Sequence, residues 1–88
     1  MNYAELIKHH IENSGMSYQN IADMMKKKGV KLDRSYISML KNGTKNPASD
    51  KVNIALAEVL GIDPPTLRIA AVREKISPDL YQLIKKIG

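Results

Sequence analysis

The residues best suited to recognition chemistry lie between 33 and 42, where polar and apolar side chains recur at helical spacing. A helix over these residues would pack Ile37 and Leu40 against a core. Its opposite face would carry four candidates, which are Arg34, Ser35, Ser38 and Met39. An arginine can donate two parallel hydrogen bonds to a guanine, a serine can reach either type of base, and a methionine can contact a thymine methyl group. Such a face is suited to contact the edges of base pairs in a major groove.

The positive charge of the chain is concentrated around this segment. The net charge is +5, yet the 20 residues from Lys26 to Lys45 hold seven basic side chains and a single acid, Asp33. The rest of the chain holds seven basic and eight acidic side chains, so it is slightly negative. A lysine-rich segment often does no more than keep a surface soluble, but an excess confined to one segment favours a polyanionic partner.

The elements that must position these residues are predicted to be short helices. Apolar spacing indicates helices over residues 3–14, 17–28, 33–42 and 49–60, a fifth from residue 63 and a short sixth from residue 77. Ser17, Asp33 and Ser49 are suited to the N-cap positions of three of them. The inner side of the second helix is predicted to be Ile21, Ala22, Met24 and Met25. No segment alternates as a strand would, so the chain is predicted to be all-α.

Several function classes find no support in the sequence. The chain has no cysteine, so a disulfide framework or thiolate metal site is excluded. His9 and His10 are adjacent on a predicted helix, project about 100° apart and cannot chelate one metal together. No nucleophile and base are arranged for catalysis, so neither an enzyme nor a cofactor is expected. No apolar run spans a membrane and no signal peptide is visible, so we expect a cytoplasmic protein of bacterial or phage origin.

A set of short motifs resembles a known family. In chain order they are Met16-Ser17, Ile21-Ala22, residues 35–43 (Ser-Tyr-Ile-Ser-Met-Leu-Lys-Asn-Gly), Pro47 and residues 54–61 (Ile-Ala-Leu-Ala-Glu-Val-Leu-Gly). Together they resemble the lambda-repressor-like (XRE/Cro) helix-turn-helix pattern over residues 3–67. The resemblance implies a compact five-helix DNA-binding domain over 1–67, with 33–42 as the recognition helix. It also implies a sequence-specific transcriptional regulator, in particular a repressor that binds a two-fold symmetric operator as a homodimer.

The resemblance also divides the candidate residues by role. Arg34, Ser35 and Met39 match positions from which members of the family read bases, whereas Tyr36 and Ser38 are expected to serve both phosphate contact and packing. The N-terminus of the second helix is a ready anion site, and the loop after the third helix offers further donors. The candidate phosphate-contacting residues are Ser17, Tyr18, Gln19, Lys31, Tyr36, Asn42, Gly43, Thr44, Lys45 and Asn46. For any one of these residues, ordinary capping or turn formation is the competing interpretation.

The segment between Ile21 and Ile37 is longer than the family pattern. Either the second helix continues through the lysines at 26–28, or residues 29–32 form an enlarged turn. The lysines at 26, 27, 28 and 31 would then either flank a DNA backbone or point into solvent.

The last residues form a predicted extension, 68–88, with an additional short helix. Leu80, Leu83, Ile84 and Ile87 fall at i, i+3, i+4 and i+7. Such a stripe covers either the chain's own core or a second subunit, and we expect residues 66–88 to form much of a dimer interface. The alternative function is an antitoxin or adaptor whose C-terminal helix binds a regulatory partner protein, with DNA binding secondary.

Overall fold

The computed structural model describes residues 1–75 together with 80, 83, 86 and 87. Within these residues the chain is all-helical and has no strand. The five helices are α1 (Tyr3–Ser14), α2 (Tyr18–Lys27), α3 (Arg34–Asn42), α4 (Asp50–Leu60) and α5 (Pro64–Lys75). The sequence prediction of an all-α chain is confirmed, and the predicted bounds differ from these by about one residue. Most of the predicted sixth helix lies outside the described residues, although Leu80, Leu83, Lys86 and Ile87 are helical.

The helix ends follow from local hydrogen bonding. Asn2 and Glu5 form a capping box at the start of α1, in which each side chain accepts from the other's backbone N–H at 2.8 and 3.0 Å. Ser17 caps α2 as predicted, because its Oγ accepts from the N–H of Asn20 at 3.1 Å. Asp33 and Ser49 occupy the predicted N-cap positions of α3 and α4, but neither makes a side-chain capping bond. These two helices therefore begin without the usual side-chain stabilisation at that end.

All five helices contribute to one core. The largest fully buried side chains are Tyr3, Ile7, Ile21, Met25, Ile37, Leu40, Asn53, Leu56 and Leu67. Two of them, Ile37 and Leu40, belong to α3, and each fully buried aliphatic side chain contributes about 1.5–3 kcal/mol. Because α3 packs against both α1 and α2, its outer face has a fixed orientation. The placement of Met24 on the inner side of α2 was wrong, since this side chain is 40% exposed.

The link between α2 and α3 determines where the basic residues lie. Helix α2 takes in Lys26 and Lys27, and Lys28 occupies its C-cap position. The following residues form the link, in which Val30 is buried and its N–H donates to the carbonyl of Met25 at 3.0 Å. The lysine segment is thus partly helix and partly an anchored link. None of the helices in the described part of the chain is long and apolar enough to cross a membrane.

Candidate nucleic-acid interface

An open groove of about 640 Å³ lies between the N-terminal end of α2 and the outer face of α3. Its lining residues are Ser17, Tyr18, Gln19, Arg34, Ser35, Ser38 and Met39. The groove therefore brings together the four candidate base-contacting residues and three of the candidate phosphate-contacting residues. The first group lies on α3 and the second at the start of α2, so the rest of α2 and the link after it separate them in the sequence.

The outer face of α3 is divided along its length. Arg34 and Ser35, in the first turn, are exposed, whereas Ser38 and Met39 are half-buried deeper in the groove. Ile37 and Leu40 lie on the opposite side of the helix and are completely buried. The predicted division of this helix into a packed face and an outward face is confirmed. Arg34 and Ser35, at the exposed end, can therefore contact a flat or convex partner first, and Ser38 and Met39 form the floor of the groove.

Tyr36 and Lys31 lie apart from the groove. Tyr36 is half-buried, packs against the core and is not among the residues that line the groove. Lys31 is exposed in the link between α2 and α3 and does not line the groove either. Of the two roles expected for Tyr36, packing is the one that its position displays.

The N-terminus of α2 forms one wall of the groove. The Ser17 hydroxyl is occupied by the cap, and Gln19 Nε2 donates to Asp23 Oδ1 at 2.8 Å along the same helix. The N–H groups of Tyr18 and Gln19 precede the first intrahelical bond and point out of the helix end, where the helix dipole is positive. Backbone N–H groups in this position suit an anion such as a phosphate.

Lys41 adds a cation at the same wall, which the sequence interpretation did not assign to the interface. Its Nζ lies 5.6 Å from the centroid of the Tyr18 ring, within range of a cation–π interaction. Lys41 also lines a smaller cavity with Ser17 and Tyr18. Its spacing could have indicated this, because residues 34, 38 and 41 are separated by four and three positions and share one face of a helix.

The loop from Gly43 to Ser49 follows directly from α3. Gly43 ends the helix with a φ of 76°, and the N–H of Thr44 donates to the carbonyl of Met39 at 3.0 Å. Asn42 Nδ2 donates to Ser38 Oγ at 3.4 Å. The candidate phosphate-contacting residues of this segment, Asn42, Gly43, Thr44, Lys45 and Asn46, are all exposed. The loop therefore offers side-chain and backbone donors beyond the C-terminal end of α3.

The far end of this loop is attached to a buried polar cluster. The Tyr3 hydroxyl donates to Asn53 Oδ1 at 2.6 Å and accepts from the N–H of Ala48 at 3.3 Å. The carbonyl of Ala48 accepts from Asn53 Nδ2 at 2.9 Å and from Lys75 Nζ at 3.3 Å. Burial raises the pKa of Tyr3 to about 12, against a smaller lowering by the Ala48 N–H. We call Tyr3, Ala48 and Asn53 the loop clamp.

The lysines at the end of α2 do not face the groove. Lys28 Nζ forms an ion pair with Glu58 Oε2 at 2.7 Å, which joins the end of α2 to α4. None of Lys26, Lys27 and Lys28 lines the groove. Lys26, Lys27, Lys28 and Lys31 are all exposed to solvent, whereas Lys41 lies over the ring of Tyr18, which lines the groove.

A second exposed surface is apolar. On α5 the side chains of Ile69 and Val72 are 53% and 49% exposed, and beyond it those of Leu80, Leu83 and Ile87 are exposed as well. Ile69 also lines a cavity of about 450 Å³ with Met1, Leu6, Thr66, Ala70 and Arg73. Ile84, the fourth residue of the predicted C-terminal stripe, lies outside the described residues.

The remaining ionisable groups form no metal cluster in the described part of the chain. The rings of His9 and His10 meet edge to face, with centroids 5.2 Å apart. His10 Nδ1 lies 2.9 Å from the carbonyl of Leu6, and the ring of His9 contacts Asn13. Both histidines are thus engaged within α1.

Comparisons with protein-family models, with curated proteins and with solved structures give no match to this chain. The function proposed below therefore depends on the groove, on the charges around it and on the sequence motifs described above.

Proposed function

We propose that the chain is a sequence-specific double-stranded DNA-binding protein with a lambda-repressor-like fold. In this proposal α2 and α3 form the helix-turn-helix, and α3 is the recognition helix. The observation that carries it is the groove, in which the N-terminal end of α2 meets the candidate base-contacting face of α3. The family resemblance of residues 3–67 supports the same assignment.

The dimensions of α3 suit a major groove. An α-helix with its side chains is about 10–12 Å in diameter, and the major groove of B-DNA is about 12 Å wide. Arg34 and Ser35 at its exposed end would contact base edges, and Ser38 and Met39 would lie against the neighbouring pair. The N–H groups of Tyr18 and Gln19 would bind a phosphate of the adjoining backbone, with Lys41 beside them. Phosphate contacts of this kind set the position of the helix and do not themselves select a sequence.

We further propose that the protein acts as a cytoplasmic, bacterial or phage-encoded repressor and binds a two-fold symmetric operator as a homodimer. The exposed apolar side chains of α5 and of the segment beyond it support a self-association surface. On such an operator the two α3 helices of the dimer would have to lie about one turn of DNA apart, or a multiple of it.

Selection of bound duplexes from a random pool, at near-physiological salt, tests the proposal. A two-fold symmetric consensus with half-site centres about one helical turn apart, or a multiple of it, is expected. Binding to that consensus should weaken steeply as salt rises, because each phosphate contact releases counterions. A pool that yields no consensus, with binding equal on all duplexes, would exclude sequence-specific recognition.

The alternative is an antitoxin or adaptor that binds a partner protein through the C-terminal residues. The observation in its favour is the exposure of Leu80, Leu83 and Ile87, at 47%, 55% and 88%. A genomic neighbour that encodes a small toxin, and a stable complex with it that does not need DNA, would favour this function. If the complex forms through the same surface as the dimer, addition of the partner should convert dimers into mixed complexes.

A further inference from the structure

We propose that the loop clamp is a positioning device for DNA binding, through which Tyr3 and Asn53 hold the loop from Gly43 to Ser49 in the conformation that contacts phosphates. This inference rests on the proposed function and assigns a role to two residues that do not touch the groove. Tyr3 and Asn53 are positioning residues, since they act through the backbone of Ala48.

The first step concerns the number of bonds at Ala48. Both of its backbone polar groups are used, the N–H by Tyr3 and the carbonyl by Asn53 and Lys75. These three side chains come from α1, α4 and α5, so the loop is fixed to three helices at a single residue. The opposite end is fixed to α3 by the bond from Thr44 to Met39. The exposed residues Lys45 and Asn46 lie between these two fixed points.

The second step concerns why the cluster is polar. Apolar residues at positions 3 and 53 would avoid burying their own polar groups, but they would leave the buried N–H of Ala48 without its hydrogen-bond partner. Tyr3 and Asn53 are both 1% exposed, and no buried side-chain polar atom in the described residues lacks a hydrogen-bond partner. A fully satisfied buried network of this kind selects one arrangement of the segments that it joins. Here the joined segment is the loop with the candidate phosphate contacts.

The third step concerns what the loop would lose without the clamp. A loop that is free before binding must be ordered when it contacts DNA, and the conformational entropy lost in this ordering opposes binding. Loss of the clamp should therefore weaken binding about tenfold, equivalent to ordering one residue. Because the loop contacts phosphates, the loss should be the same on consensus and non-consensus duplexes. The preference for sequence, which depends on α3, should stay unchanged.

The test compares Tyr3→Phe, which removes one oxygen and keeps the ring, with Val59→Ala as a control for stability. Val59 is buried near the opposite end of α4 from Asn53, so its truncation lowers stability without touching the loop. Asn53→Ala and the double variant complete the set. All are measured well below their unfolding temperatures, for affinity to the selected duplex and to a scrambled one, and for the salt dependence of each. Hydrogen exchange of the Ala48 amide reports the clamp in the absence of DNA.

Tyr3→Phe is expected to lose about tenfold in affinity on both duplexes and to speed exchange at Ala48, while the salt slope stays the same because the phosphate contacts still form once the loop is ordered. The double variant should bind no more weakly than the weaker single variant, because both act on one loop. If Tyr3→Phe binds DNA as Val59→Ala does, or if Ala48 exchange rises while affinity stays constant, the positioning role is overturned. If the unaltered protein itself shows no preference between the two duplexes, it is the proposed function that fails.

Discussion

The Tyr3 hydroxyl donates a 2.6 Å hydrogen bond to Asn53 Oδ1, which joins the first turn of α1 to the middle of α4 in the interior of the protein. The same hydroxyl accepts from the N–H of Ala48, which lies in the loop just before the N-cap of α4. Burial raises its pKa to about 12, with further small contributions from Tyr36 and Glu74. The folded state therefore favours the neutral phenol, so we expect the stability of the protein to depend on pH in the alkaline range.

The contribution of Tyr3 to the free energy of unfolding should be lost between about pH 10 and pH 12. The folded pKa lies above the ordinary value of 10.0, so the stabilisation is fully present below pH 10 and decreases as pH rises through the folded pKa. A shift of this size corresponds to about 2–3 kcal/mol. Urea unfolding of the protein and of Tyr3→Phe across this range is the measurement. The stability gap between the two should narrow with pH, and a constant gap would contradict the prediction.

Arg34→Ala should weaken binding to the selected duplex by about 1–3 kcal/mol and relax the base preference at one position. The reason is the exposed position of Arg34 at the end of the groove, where its guanidinium can bond two acceptors of one guanine. Arg68→Ala is the control with the same charge change, because Arg68 is paired with Asp50 at 2.8 Å and lies on α5. The affinity of each protein variant is measured by titration with a panel of duplexes that differ from the selected one at single base pairs. An equal loss from Arg34→Ala on every duplex would reassign it to a backbone contact.

Lys41→Met should reduce the salt slope of DNA binding by about one, whereas Lys28→Met should leave it nearly unchanged. Lys41 stands beside Tyr18 at the groove, while Lys28 forms an ion pair with Glu58 away from it. Both substitutions remove one charge and keep a flexible side chain, so the pair controls for net charge. Equal slopes for the two variants would mean that position relative to the groove is irrelevant.

Gly43→Ala should lower the free energy of unfolding by about 1–2 kcal/mol, because its φ of 76° lies in the left-handed region. Gly15→Ala, at a φ of 70°, should cost about the same. Only Gly43 joins α3 to the candidate phosphate-contacting loop, and only there would a new Cβ approach Ala4, at 3.5 Å. DNA titrations at equal fractions of folded protein should therefore show weaker binding for Gly43→Ala alone. Weaker binding by Gly15→Ala as well would point to a general effect of destabilisation.

Ile69→Glu combined with Val72→Glu should convert a dimer to a monomer without lowering the unfolding temperature of the monomer. Both side chains are about half exposed on α5, so a charge there costs little in the monomer but is costly at an apolar interface. Sedimentation equilibrium measures the change, with Lys51→Glu on the exposed side of α4 as the control. If the double variant remains a dimer, self-association uses a different surface.

The helices could be predicted because their signals are local. Residues such as Ser17 and Gly43 stand at the ends of α2 and α3, and they act within three or four positions of themselves. Met24 was misplaced because it lies three positions after Ile21, at the edge of the apolar stripe that Ile21 and Met25 define. Spacing alone does not determine whether a residue at the edge of an apolar stripe becomes buried or exposed.

The groove could be predicted only in part, and the clamp could not be predicted at all. Arg34 and Ser35 follow from one helix and its buried face, so the sequence contains their orientation. A polar residue such as Asn53 in an amphipathic helix is usually exposed, and its burial depends on Tyr3, 50 positions away. The pairing of Lys28 with Glu58, 30 positions apart, has the same origin. Contacts of this range are determined by the packing of helices and leave no periodic pattern in the chain.

The bonds that hold the loop also have a consequence for how the protein folds. Tyr3 contacts Asn53 through its hydroxyl and Glu74 through its N–H, so these contacts close loops of 50 and 71 positions. Local helix formation in α2 and α3 precedes the closure of such long loops, since entropy opposes them most. The α2–α3 pair can therefore form early, but the loop from Gly43 to Ser49 reaches its final conformation only when Tyr3 has met Asn53 and Glu74. The conformation of this loop is thus tied to the last and most cooperative step of folding.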